Sequence, residues 1–165
     1  MKIVLAIDGS EFSKEAVREL VKMPLPLDSE VCVLNVYKYP TVWAPELLSV
    51  SSTSSYYLEA LSNAEKLVKK SAEKIVSEAE DALKNKKDVP KITTSVVIGL
   101  PKNAILEKAE TFGADLIVVG AQGHGAFSSL LLGSVSQSIV THANCSVMIA
   151  RKKDKKSVVK KIDQK

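Results

Sequence analysis

Five short apolar runs alternate with stretches whose apolar residues recur every three or four positions along this 165-residue chain. Ile3–Ile7 reads as a first buried strand, and Ser13 is expected to cap a helix that continues to about Val21. Pro24 and Pro26 end that helix, and Val31–Val36 is a second strand. From Ser62 to about Leu83 the apolar residues Ala64, Leu67, Val68, Ala72, Ile75, Val76, Ala79 and Leu83 fall near helical spacing, which predicts a long amphipathic helix. Ile92–Ile98 follows as a third strand, Asn103–Thr111 as a helix, and Leu116–Val119 as a fourth strand. A last helix from Ser134 to about His142 precedes a last strand, Val147–Ala150. Uninterrupted apolar strands separated by helices imply an α/β domain with a parallel sheet covered on both faces. Right-handed crossovers bring the carboxyl ends of such strands to one edge, where doubly wound sheets bind their ligands. Asp8, Val36, Gly99 and Gly120 all fall at that edge.

The most specific chemistry lies after the fourth strand, where Gly120 to Ser136 reads GAQGHGAFSSLLLGSVS. A strand that ends in a Gly-rich loop and re-enters a helix through Gly-Ser is suited to hold phosphate. Glycines allow the backbone close to an anion, and the start of the next helix adds N–H donors and a positive dipole end. Ser134 and Ser136 are candidate hydroxyl donors. Two other phosphate motifs do not fit. A P-loop requires Lys and then Ser or Thr after its second glycine, and no such stretch occurs. The dinucleotide fingerprint belongs on the first strand–helix turn, which here reads Asp8-Gly9-Ser10.

The spacing Gly-x2-Gly-x9-Gly-Ser is met by Gly120, Gly123, Gly133 and Ser134. Together with KIVLAIDGS at the start, Asn35-Val36, Gly99-x-Pro101 with Ile105, ADLIVVG and the ending GSVSQSIVTHANCSVMIAR, it resembles the ATP-binding branch of the universal stress protein family. The resemblance runs from residue 1 to about 152. It implies a Rossmann-like, five-stranded parallel sheet of the adenine nucleotide alpha hydrolase type, in the order 3-2-1-4-5. It further implies a site for ATP, with AMP or ADP as alternatives and Mg²⁺ accompanying the phosphates. In that site Ala6 and Ile7 pack near the base and the Val36 backbone reads the adenine edge. Asp8 is implied to lie beside the nucleotide and to approach either the ribose or a phosphate-bound Mg²⁺, since a carboxylate next to polyphosphate needs such a cation. Val119, Gly120, Gln122, Gly123, Gly133, Ser134, Val135 and Ser136 complete the implied site. The implied role is a nucleotide-dependent stress-response or regulatory protein of the cytoplasm with at most slow ATP hydrolysis and an unidentified protein partner. An adenine-nucleotide hydrolase-type enzyme and a nucleotide-free scaffold of the same fold remain open. Homodimerisation through the last strand, by Val147, Met148 and Ile149, is implied as well; an apolar edge strand needs cover. The chain departs from the family at Gln122, where Arg or His is frequent, and at Ala121, Asn144 and Ser146. Loss of a cation at 122 weakens the hold on terminal phosphates and lets AMP or ADP compete with ATP.

Composition and charge narrow these alternatives. The chain is 45% hydrophobic and 25% charged, ordinary for a globular domain, and no apolar stretch reaches the length of a membrane span. The start of the chain reads as a strand rather than a signal peptide, because Asp8 interrupts the apolar run. The net charge is +4, yet residues 151–165 alone hold eight Lys/Arg against two Asp, which leaves −2 for residues 1–150. The basicity therefore belongs to a tail, expected to be disordered beyond a domain spanning 1–152, and the domain keeps no basic face for nucleic acid. A weak anionic partner of the tail, RNA or a membrane surface, is the alternative to simple solvation. Cys32 and Cys145 form no Cys-x-x-Cys pair and are expected as reduced thiols in apolar surroundings. His124 stands between two glycines without an acidic neighbour, which suits a loop residue or a phosphate contact better than a general base. The long connection 38–61, with Trp43, Tyr56 and Tyr57 among serines, reads as a mobile flap near the nucleotide edge.

Overall fold

A computed structural model describes residues 1–38, 54–86, 90–124 and 131–152, with side chains of the second helix from Leu58 onward. In chain order its elements are β1 (Lys2–Ala6), α1 (Glu11–Lys22), β2 (Glu30–Tyr37), α2 (Ser54–Lys84), β3 (Lys91–Ile98), α3 (Pro101–Phe112), β4 (Leu116–Gly120), α4 (Ser134–His142) and β5 (Ser146–Ala150). The strands form one sheet in the order β3-β2-β1-β4-β5. Every pairing is parallel, with Leu5 of β1 opposite Val33 of β2 and Val118 of β4. The expected doubly wound α/β architecture and strand order are both present.

Alternation along β1 explains why both faces are covered. Ile3 and Leu5 point to one side, where they pack with Ala16 and Leu20 of α1 and Val76, Ala79 and Leu83 of α2. Val4 and Ala6 point to the other, against Ile105 and Ala109 of α3 and Ile139 of α4. Residues 3–6 of β1, 31–34 of β2 and 116–119 of β4 are therefore apolar in unbroken runs, and Ile3, Val4 and Leu5 are fully buried. Cys32 belongs to the second of these cores and is a free thiol, its pKa pushed up by burial. Cys145, also free, is half-buried at the entrance to β5.

Two expectations need correction. The cap of α1 is Ser10, not Ser13: the Ser10 hydroxyl accepts the Ser13 N–H at 3.2 Å, and Ser13 lies in the first turn. Ser13 instead donates its own hydroxyl to the Ser10 carbonyl at 3.0 Å. Both serines have capping chemistry, and the chain turn after Asp8 decides between them. Ser10→Ala should cost about 1 kcal/mol of stability, read as a lower urea midpoint at unchanged slope. The second correction concerns α2, which begins at Ser54 rather than near Ser62, so the part of the 38–61 connection from 54 onward is helix. Serines obscure its first turns, while Leu58, Glu59, Ala60 and Leu61 have good helix propensity. The rest of the expected flap, 39–53 with Trp43, and the basic tail 153–165 lie outside the described residues. Among the described residues no helix is long and apolar enough to cross a membrane.

Candidate functional site

The carboxyl ends of β1, β2 and β4 open onto a cleft of about 440 Å³ at the point where strand order reverses. β1 contributes Ala6 and, just beyond its end, Ile7 and Asp8; β2 contributes Val36. β4 and the loop after it contribute Val119, Gly120, Gln122 and Gly123. The opposite wall is Gly133, Ser134, Val135 and Ser136, the N-cap and first turn of α4. All twelve residues singled out in the sequence are thus brought to one concavity. Leu34, Lys38, Ser13, Pro101, Ile105 and His124 line it too, although they were not among those twelve. Pro101 and Ile105 had a signal, being four apart on the helix that follows Gly99 and hence on one face.

The exit of β1 is held by two hydrogen bonds. The Ile7 N–H donates to the Leu34 carbonyl at 2.9 Å, which prolongs the sheet, and the Asn35 amide donates to the Ile7 carbonyl at 2.8 Å. Asn35 is a buried polar residue of the central sheet, and this bond satisfies its amide nitrogen. Gly9 then takes φ +83°, with Ile75 of α2 packed so close that an added Cβ would sit 2.8 Å from its Cδ1. The chain turns there, and Asp8 Oδ1 accepts the Ser10 N–H at 3.0 Å. The other carboxylate oxygen, Oδ2, faces the glycine loop, 2.6 Å from where a Cβ on Gly123 would be. Gly123 is therefore needed to make room for the Asp8 side chain.

The glycine loop is tied down at several points. Gly120 lies so close to α1 that a Cβ would come within 2.6 Å of the Phe12 carbonyl carbon. Ser136, 4% exposed, donates its hydroxyl to the Gly120 carbonyl at 2.7 Å. Its proton is thus already engaged, so Ser136 supplies structure rather than the hydroxyl donor expected of it. The Gln122 side-chain nitrogen donates to the Leu131 carbonyl and draws the two ends of the loop together. The Gly133 N–H donates to the Ala121 carbonyl at 2.8 Å. His124 places Nε2 2.9 Å from the Asp8 carbonyl oxygen, joining the β1 turn to the glycine loop by its side chain. It contacts the Asp8 backbone, which is not the pairing of a catalytic dyad.

The α4 end is the anion-seeking feature of the cleft. Gly133 is its N-cap and provides no side-chain acceptor, and helix geometry leaves the N–H groups of Ser134, Val135 and Ser136 without intrahelical acceptors. Those donors and the positive end of the helix dipole are directed at the cleft. Asp8 is the one carboxylate among the described lining residues. A single carboxylate beside a helix N-terminus is a donor set that suits a Mg²⁺ ion shared with an anionic ligand, not an ion caged by protein alone. Among the described residues no group of three or more His, Cys, Asp or Glu able to hold a metal occurs.

Fold and cleft together define a doubly wound α/β domain with a cleft at the carboxyl edge of its sheet, walled by a glycine loop and a helix N-terminus. The chain belongs to the universal stress protein family, whose profile matches residues 1–151. It is 34% identical over 155 residues to the universal stress protein MJ0531 of Methanocaldococcus jannaschii, covering 93% of this chain and 84% of that one. Among solved structures it is similar to the protein MJ0577, with a TM-score of 0.67 at 25% identity over 93% of this chain and 96% of that one. A universal stress protein family member from Arabidopsis thaliana, solved with AMP bound, shares the fold with a TM-score of 0.56 at 17% identity, over 94% of each chain.

Proposed function

We propose that this protein binds an adenine nucleotide in the cleft, ATP with Mg²⁺ among them, and that occupancy controls its contact with a regulatory protein partner in the cytoplasm. The observation that carries this reading is the uncapped first turn of α4 facing Gly123 and Asp8 across one cleft with the ends of β1 and β2. A phosphate at the α4 turn leaves the base toward β2, where the Val36 backbone and the apolar Ala6, Ile7, Leu34 and Ile105 suit a flat heterocycle. The AMP carried by the Arabidopsis relative supports the same ligand class. Asp8, through phosphate-bound Mg²⁺, offsets its own repulsion of a polyphosphate. Any hydrolysis is slow, because the ring nitrogen of His124 is spent on the Asp8 carbonyl rather than paired with a carboxylate or a nucleophile. The direct test is the mass of nucleotide released when the purified protein is denatured, followed by calorimetric titration with ATP, ADP and AMP. Adenine nucleotide in the extract and saturable heat are expected; neither would appear if the cleft were only structural.

The domain is taken to span 1–152, followed by a basic tail. Its edge strand β5 carries Val147, Met148 and Ile149 half-buried, beside a partner on one side only. Pairing of β5 with a second copy would cover that edge. Sedimentation at micromolar concentration should give the mass of a homodimer, and a monomer mass would contradict the pairing.

A further inference from the structure

We propose that the cleft by itself prefers a nucleotide with one phosphate to one with three, an inference that rests on the nucleotide reading above. One turn of α4 supplies the N–H groups of Ser134, Val135 and Ser136, enough to hold a single phosphate. Further phosphates must run along the glycine loop, and the charge there is unfavourable. From Gly120 to Ala150 the chain has no Lys or Arg. Gln122 is only 6% exposed and turns its amide nitrogen inward to the Leu131 carbonyl, so it closes the loop instead of reaching a phosphate. Lys38 is the one Lys or Arg among the described lining residues, and it follows β2. β2 is two strands from β4, roughly 10 Å across the sheet, which puts Lys38 at the base end of the cleft. Lys152, two residues beyond β5, lies 4.0 Å from the Glu11 carboxylate.

The remaining charge on the phosphate path is negative. Asp8 Oδ2 lies against Gly123, in the path a second and third phosphate would take. Each added phosphate brings more negative charge toward that carboxylate with no side-chain cation on the loop to offset it. The triphosphate therefore depends on a divalent cation for its affinity, and the monophosphate does not.

The test is calorimetric titration of the full chain, stripped of nucleotide, with AMP, ADP and ATP in EDTA and then in Mg²⁺. All titrations are run at one fixed pH. In EDTA, AMP should bind at least roughly tenfold more tightly than ATP, with ADP between them. Mg²⁺ should strengthen ATP binding and leave AMP binding unchanged. Asp8→Asn keeps the oxygen that accepts the Ser10 N–H but removes the charge, and it should narrow the gap between AMP and ATP. ATP binding as tightly as AMP in EDTA would overturn this inference and leave the nucleotide reading standing. A gap untouched by Asp8→Asn would overturn its electrostatic cause. Absence of heat with all three nucleotides, with and without Mg²⁺, would overturn both readings.

Discussion

Gly120→Ala should destabilise the protein by about 3 kcal/mol, the upper end of the usual cost of overpacking. For a chain of this size that corresponds to a fall in melting temperature of roughly 6–12 °C. Gly120 ends β4 and is surrounded by backbone: an added Cβ would sit 2.6 Å from the carbonyl carbon of Phe12, 2.7 Å from its oxygen and 2.9 Å from the Ser13 nitrogen. None of these atoms can rotate away as the end of a side chain can. Either β4 leaves its register with β1 and β5 or the first turn of α1 shifts. Both movements disturb the Ser10 cap and the Ser136–Gly120 bond. Gly123→Ala is the useful contrast. Among the described residues its Cβ would meet only the Asp8 carboxylate, whose Oδ2 can move aside, so stability should change little while Asp8 is displaced from the loop. Thermal unfolding of the two variants side by side distinguishes a backbone clash from a side-chain one. Equal melting temperatures would mean that α1 yields to Gly120→Ala more easily than its packing suggests.

Gly133→Val should weaken adenine-nucleotide binding at least roughly a hundredfold, about 2.7 kcal/mol, with the fold retained. The backbone at Gly133 has φ −64° and ψ 155°, which valine adopts without strain. A Cβ there would approach Gln122 Cα at 3.3 Å, the Ala121 oxygen at 3.5 Å and the Gly123 nitrogen at 3.7 Å. That is tight but tolerable for one carbon, so Gly133→Ala should bind only a few times more weakly. The two extra methyl groups of valine have no room against the strand exit and must turn toward the cleft. They would cover the Gly123 amide and crowd the first turn of α4, where a phosphate needs close approach. Calorimetry measures the affinity, and circular dichroism with thermal unfolding shows whether the fold survives. Unaltered affinity in a folded Gly133→Val variant would move the phosphate away from the α4 turn.

Much of this was readable from local pattern, for reasons particular residues make clear. α4 runs from Ser134 to His142 as expected, its start marked by the Gly133-Ser134 step that closes the glycine loop. The start of α1 was misplaced because Ser10 and Ser13 are chemically equivalent caps. Their roles depend on the turn at Gly9, which Ile75 of α2 helps to shape from far along the chain. The first turns of α2 were hidden by serines, whose neighbours carry the helical preference. At the site, the glycine–serine spacing marked the wall of the cleft, but the direction of the Gln122 side chain was invisible. Its acceptor, Leu131, is nine residues away across a loop, and nothing in the residue type tells an inward amide from an outward one.

The sequence alone determined the alternation of strand and helix, the parallel sheet and the glycine loop at the carboxyl edge, because periodicity and turn chemistry act over a few neighbouring residues. Tertiary structure decided how the loops meet. Asp8 sits over Gly123, His124 reaches the Asp8 carbonyl from 116 residues away, and Gly120 touches the backbone of Phe12. These contacts join segments from different strands. They exist only once the sheet order has set β1 beside β4, and no local preference of either segment specifies the distance between them.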